Sequence, residues 1–193
     1  MSFPPSFSAR VIAMSRYALC ACLLLAALPA AAAPAPALQS PADARLLFIA
    51  KASGVQIYRS ADTGGALHWE LEAPLARLTG PRLSGQDGRV TIYHYAGPSW
   101  EAADGSKVAR DPAVPMVSAP SADPADIPAL LITVAADPAS GVLAGVSYVE
   151  RLAAHGGAAP ATPPVRPGTR IGVPYTATYA FFAREAPKAE AGR

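Results

Sequence analysis

Arg89-Val90-Thr91-Ile92-Tyr93-His94-Tyr95 is the stretch whose reading decides the fold. It is rich in β-branched and aromatic residues, which suit a pleated, half-buried surface. A period of two puts Val90, Ile92 and His94 on one face and Thr91, Tyr93 and Tyr95 on the other. Asp87-Gly88 before it is a turn pair. The same alternation recurs to either side. Leu67, Trp69 and Leu71 alternate with His68, Glu70 and Glu72, which predicts Trp69 in the core. In residues 173–182, Val173, Tyr175, Ala177, Tyr179 and Phe181 share one side, and Thr176 and Thr178 share the other. Further strands are expected at 45–50, at 55–58 after Gly54, at 130–135 and at 142–152, the last two parted by a turn at 137–141. Pro or Gly interrupts nearly every window of helical length. The expectation is an all-β, single-domain antiparallel β-sandwich or closed barrel with long Pro-rich loops and at most one short helix. Val90, Ile92 and either Tyr175 or Tyr179 join Trp69 in its predicted core. The Pro-rich stretches, residues 111–128 and 160–167, read as surface loops or edge segments, because proline cannot donate to a strand ladder.

The chain has 193 residues, of which 51% are hydrophobic and 16% charged, too apolar for a wholly disordered protein. The formal net charge of +2 comes without any basic run, which disfavours nucleic acid. Residues 1–37 read as a cleaved signal peptide: Arg10 and Arg16, an apolar run from Tyr17 to Leu28, Pro29, then a small-residue exit through Ala35-Pro36-Ala37. Met14 is a second candidate start, and cleavage is expected between Ala33 and Leu38. The run is too short for the ~20 residues of a membrane-spanning helix, so no transmembrane anchor is expected in the mature form. Arg10 and Arg16 are two of the 16 basic residues, and all 14 acidic ones follow them, so the mature chain would be formally neutral. Cys20 and Cys22 both lie in the export segment, and Leu23-Leu24-Leu25 continues past them, which argues against lipidation. The expected domain spans 38–186, with a frayed tail at 187–193, in a periplasmic or extracellular protein.

The densest motif is His94-Tyr95-Ala96-Gly97-Pro98-Ser99-Trp100-Glu101, followed by Asp104-Gly105-Ser106. Gly97-Pro98 turns the chain sharply after the strand, and Trp100-Glu101 resumes extended backbone. His94, Tyr95, Trp100, Glu101 and Asp104 are therefore the candidate ligand-binding residues.

In these residues the chain resembles the exported proteins grouped as domain-of-unknown-function family 3455. Five pieces match in order: Gly54 to Tyr58, Trp69, the string from His94 to Ser106, Arg151 through Gly156-Gly157 to Ala159-Pro160, and Val173 to Ala177. The resemblance covers about residues 40–184 and implies an exported, single-domain, β-rich protein. It assigns no chemistry. Some relatives carry a dehydrogenase label, but no Gly-rich phosphate loop opens a helix here. Three positions depart from the family. Relatives often have Cys at the place of Ser60 and again within 162–165, where this chain has none, as if a disulfide worth ~2–4 kcal/mol had been lost. Relatives often have Trp where this chain has Ala129, which would alter a pocket if that Trp lined one.

Three functions remain open on the residues. The first is an exported module that binds a small molecule around the His94–Glu101 bend. The second is a structural or interaction protein of the cell envelope, and the third an enzyme using His94 with Glu101 or Asp104. The spacing of His94, Glu101 and Asp104 matches no metal motif, and no cofactor is expected. His94 bonded to a carboxylate, pinning the bend, is the structural alternative. Trp100, Tyr93 and Tyr95 suit a stacked ligand or an ordinary β core. Gly156-Gly157 reads as a turn. Ser99, Ser106 and Ser147 lack the Gly-Xaa-Ser-Xaa-Gly frame of acyl hydrolases.

Overall fold

A computed structural model of the chain describes residues 38–81, 89–135 and 140–185. These residues hold nine strands and no helix: β1 Ala44–Thr63, β2 Ala66–Pro81, β3 Arg89–Tyr95, β4 Ser99–Ala102, β5 Lys107–Arg110, β6 Val117–Ala119, β7 Ala129–Ala135, β8 Val146–Gly156 and β9 Arg170–Arg184. All pair antiparallel, in the order β5-β4-β3-β2-β1-β9-β8-β7, and β5 then pairs with β7 to close the ring. The result is a barrel of eight strands, with β6 lying beside the remaining edge of β7. The all-β expectation holds, in its barrel form. The expected signal peptide, the 87–88 pair, most of the 137–141 turn and the tail after Glu185 lie outside the described residues.

The predicted faces decide what fills the barrel. Val90, Ile92 and His94 on β3 are buried, as are Tyr175, Ala177, Tyr179 and Phe181 on β9. One end is closed by packing. Phe48 stacks on Phe181 with centroids 4.5 Å apart, among Leu78, Ile92, Val108 and Val146. Leu143, from the loop between β7 and β8, is fully buried in the same cluster. Asp104 and Ser106 hold that loop. Asp104 Oδ2 accepts the Val142 N–H at 2.8 Å, and Ser106 Oγ accepts the Leu143 N–H at 3.1 Å.

The other end is a mouth edged by the β1–β2 hairpin and both Pro-rich loops. Gly64 and Gly65, with φ of 63° and 86°, form the hairpin turn, a conformation that matches strand twist and that only Gly adopts freely. The loops are tied down by side chains. Ser60 Oγ donates to Arg166 O at 2.7 Å and accepts the Thr169 N–H at 3.1 Å. The Ser60 hydroxyl therefore bridges two backbone groups. Asp126 Oδ1 accepts the Gly156 N–H at 2.6 Å, and the Tyr58 hydroxyl donates to Gly157 O at 2.7 Å. Gly157 has no room for a side chain, since a Cβ would lie 2.9 Å from Tyr175 Cβ and 3.1 Å from Ile127.

The 111–128 stretch contains the short edge strand β6, as an edge segment would. Three expectations are corrected. Residues 45–50 and 55–58 belong to one strand, because Gly54 lets β1 pass tightly under Leu75 and Ala76. Residues 142–145 are turn, and β8 starts at Val146 and runs on to Gly156. Trp69 is not in the core. Ile57 pairs with Ala73 and Tyr58 with Leu71, so Glu72 is an extra residue that brings Leu71 and Trp69 onto the same face as Pro74 and Ala76. Trp69 therefore faces inwards, opposite Ser60, but where the hairpin has run past the packed core. Trp69 is half-buried there, and its indole N–H donates to Thr162 O at 2.9 Å.

Candidate functional site

The five predicted site residues do not meet. β3 and β4 pair with His94 opposite Trp100 and Tyr93 opposite Glu101, and alternation sends neighbours to opposite faces. His94 and Trp100 point into the barrel, 3% and 0% exposed, with their rings stacked 4.5 Å apart at 6°. Tyr179 meets the His94 ring edge-on at 5.5 Å. Tyr95 and Glu101 point outwards, where the Tyr95 hydroxyl donates to Glu101 Oε2 at 2.5 Å and Lys107 Nζ sits 5.2 Å over the Tyr95 ring. Asp104 is at the closed end, accepting from Ser106 Oγ at 2.6 Å as well as from Val142. His94 bonds a carbonyl and not a carboxylate: its Nδ1 is 2.9 Å from Ser99 O, so Nδ1 carries the proton. Burial holds the ring's pKa down at about 4, which leaves it neutral with an acceptor at Nε2.

Inside the mouth is a cavity of about 360 Å³. That is the share of roughly a dozen water molecules in the liquid, within the range of small-molecule sites. Its wall is mostly apolar: Leu71, Pro74 and Met116 near the rim, Ile127, Leu130 and Ile132 deeper. Its polar groups come from five strands: Gln56 and Tyr58 on β1, His94 on β3, Ser118 on β6, Arg151 on β8 and Tyr179 on β9. Ala129 is not in the wall, although Pro128 and Leu130 on either side of it are.

Two of these groups are costly where they sit. Gln56 is 1% exposed, and its Nε2 has no hydrogen-bond partner among the described residues. Leaving a buried donor unmet costs ~1–3 kcal/mol. Arg151 is 8% exposed. Its Nε and Nη2 donate to Pro128 O at 3.1 and 3.0 Å, but no carboxylate among the described residues forms an ion pair with it. A buried charge ordinarily comes with a counter-charge. Its field reaches His94 and the hydroxyls of Tyr58, Tyr175 and Tyr179. Burial nonetheless pushes the Tyr175 hydroxyl well above the usual tyrosine range, and that of Tyr179 upward too, so both stay protonated at neutral pH.

The family model described as "Protein of unknown function (DUF3455)" matches residues 41–183, the whole ring of strands but for its last residue. The chain belongs to that family. No curated protein and no solved structure matches the chain. For this DUF3455 protein the strings singled out by resemblance are thus scaffold as much as site. His94 and Arg151 reach the cavity. Gly156 and Gly157 hold the 123–128 loop over it, and Asp104 and Ser106 close the far end.

Sequence reasoning passed over Gln56, Tyr58, Arg151 and Tyr179 as site residues. One signal was available. Gln56 and Arg151 are polar residues at inward positions of apolar strands, and an inward polar residue marks either a partner or a site. Which strand faces which was not legible from one sequence. No cluster of His, Cys, Asp and Glu able to hold a metal occurs among the described residues, and no helix there is long and apolar enough to cross a membrane.

Proposed function

We propose that this is an exported binding protein that holds a small, largely apolar molecule inside the mouth of its barrel. One observation carries the reading: an apolar cavity of about 360 Å³ contains a buried Arg151 without a counter-charge and a Gln56 Nε2 without a partner among the described residues. Buried polar groups are ordinarily satisfied within the fold, and two that are not, meeting at one cavity, point to a ligand. Eight-stranded barrels leave an interior just wide enough for side chains or one small ligand. Here side chains fill one end and leave the other open. Binding rather than catalysis is favoured because neither Glu101 nor Asp104 reaches His94, which removes the acid–base pair that an enzyme reading needed. Export is favoured by residues 1–37, with their basic start, short apolar run and small-residue exit.

The test is a thermal-denaturation screen of the purified chain against apolar acids, alcohols, amines and sugars, beside Ile132→Trp, which fills the cavity. A ligand that binds only the folded state raises the midpoint. At least one class should raise it in the wild type and leave Ile132→Trp unmoved. No shift with any class, or equal shifts in both proteins, would overturn the reading. Export is tested separately by N-terminal sequencing of protein recovered outside the cytoplasm, which should begin between Ala33 and Leu38.

A further inference from the structure

Resting on that reading, we infer that the ligand is a singly charged apolar carboxylate whose head group sits between Arg151 and Gln56. Three features select this chemistry. The first is sign: both groups offer hydrogens, Arg151 through its guanidinium and Gln56 through an unmet NH₂, and a carboxylate is acceptor-only. A cationic head would meet Arg151 with no carboxylate nearby among the described residues to relieve it. The second is valence. Arg151 is the only Lys or Arg in the cavity wall among the described residues, and His94, also in that wall, is neutral. One negative charge neutralises the site, whereas a phosphate monoester would leave a net charge buried in an apolar wall. The third is the rest of the wall. The Tyr58 and Tyr179 hydroxyls are engaged with Gly157 O and the Tyr175 hydroxyl, which leaves His94 Nε2 and Ser118 as few partners for a hydroxylated body such as a sugar, while Leu130, Ile132 and Ile127 are apolar and Leu71 and Met116 continue that surface to the rim. A linear or aromatic tail suits this wall, and the volume suits one tail rather than two.

The probes are decanoate, 1-decanol and decylamine, identical in tail and different in head, titrated into the full chain by calorimetry. Displacement of a neutral fluorescent naphthylamine reports occupancy of the cavity independently. Decanoate should bind at least tenfold more tightly than decanol, and decylamine more weakly than both. Arg151→Met should bring decanoate and decanol within about threefold of each other. Gln56→Leu, which removes an unmet buried amide and is expected to fold at least as well as wild type, should weaken decanoate several-fold and leave decanol unchanged. If Arg151→Met does not fold, the wild-type ranking and Gln56→Leu decide alone. Equal binding of the three probes, or decanol binding best, would overturn the carboxylate inference and leave the cavity reading standing. Failure of every probe, the dye included, would overturn both.

Discussion

At one end of the barrel Phe48 stacks on Phe181 and Leu143 is buried among aliphatic side chains; at the other the same sheet presents Gln56, Tyr58, Arg151 and Tyr179 to a cavity. Most of the strands that line the mouth also run through the closed end. On β1 the inward series passes from Phe48 through Ala50 and Ala52 to Gln56 and Tyr58, and on β9 from Phe181 to Tyr179 and Tyr175. The long strands therefore let an unsatisfied, partly empty mouth lean on a dry, filled base. On the proposed reading stability belongs to one end and recognition to the other, and substitutions at the two ends should differ in sign as well as size.

The largest effect is expected at the base. Phe181→Ala removes a ring with no exposure and leaves a cavity, so denaturant unfolding should show a loss of ~3–5 kcal/mol. A loss below 1 kcal/mol would mean that the closed end is not the stabilising half. Next comes the pH response of His94. Its pKa falls from 6.5 unfolded to about 4 folded, chiefly by burial. The folded state thus binds fewer protons than the unfolded one between those values. Its contribution is complete above pH 6.5 and is lost as pH falls towards 4, about 3 kcal/mol in all. Unfolding of wild type and His94→Phe across pH 7 to 4 checks this, and the variant should lack that part of the slope.

A smaller loss, ~1–2 kcal/mol, is expected for Asp104→Ala, which frees the Val142 amide and Ser106 hydroxyl that hold the base shut. Gln56→Leu at the mouth should go the other way, raising stability by up to ~1 kcal/mol, because the amide it removes is buried and unmet. A destabilisation there as large as that of Asp104→Ala would erase the contrast between the ends. Smallest is Ala153→Gly. Ala153 sits at φ 45° beside a β8 register shift near Arg151, so relief of left-handed strain of ~1–2 kcal/mol is largely offset by glycine's added chain entropy. Chemical denaturation should place this variant within ~0.5 kcal/mol of wild type, and a decanoate titration should show whether the bulge also positions Arg151.

The strand faces were legible wherever alternation was unbroken, as on β3 and β9. The face of Trp69 was legible too, since it lies opposite Ser60 on the inner side, but how far the hairpin runs past the packed core was not, and Trp69 was misplaced for that reason. Gly64-Gly65 was a readable hairpin signal that went unused. The site was half legible. The string from His94 to Glu101 is dense along the chain, but a period of two must send its neighbours to opposite faces, so sequence density and spatial convergence part company in a strand. Gln56, Arg151 and Tyr179 come together only through the pairing of β1, β8 and β9, which no local pattern encodes.

The ring is fastened unevenly. Among the described residues β5 meets β7 at Ala109 opposite Ala135 and Arg110 opposite Val134, with the Asp111 N–H donating to Thr133 O just beyond, whereas β1 is bonded to β2 from Lys51 to Thr63. The remaining edge of β7 is taken by β6, whose Ser118 belongs to the cavity wall. A hoop is weakest at its shortest joint, so the β5–β7 seam is where the described barrel has the fewest bonds holding it closed. The width of the mouth then depends on how firmly Val117 to Ala119 are held against Ala129, Leu130 and Leu131.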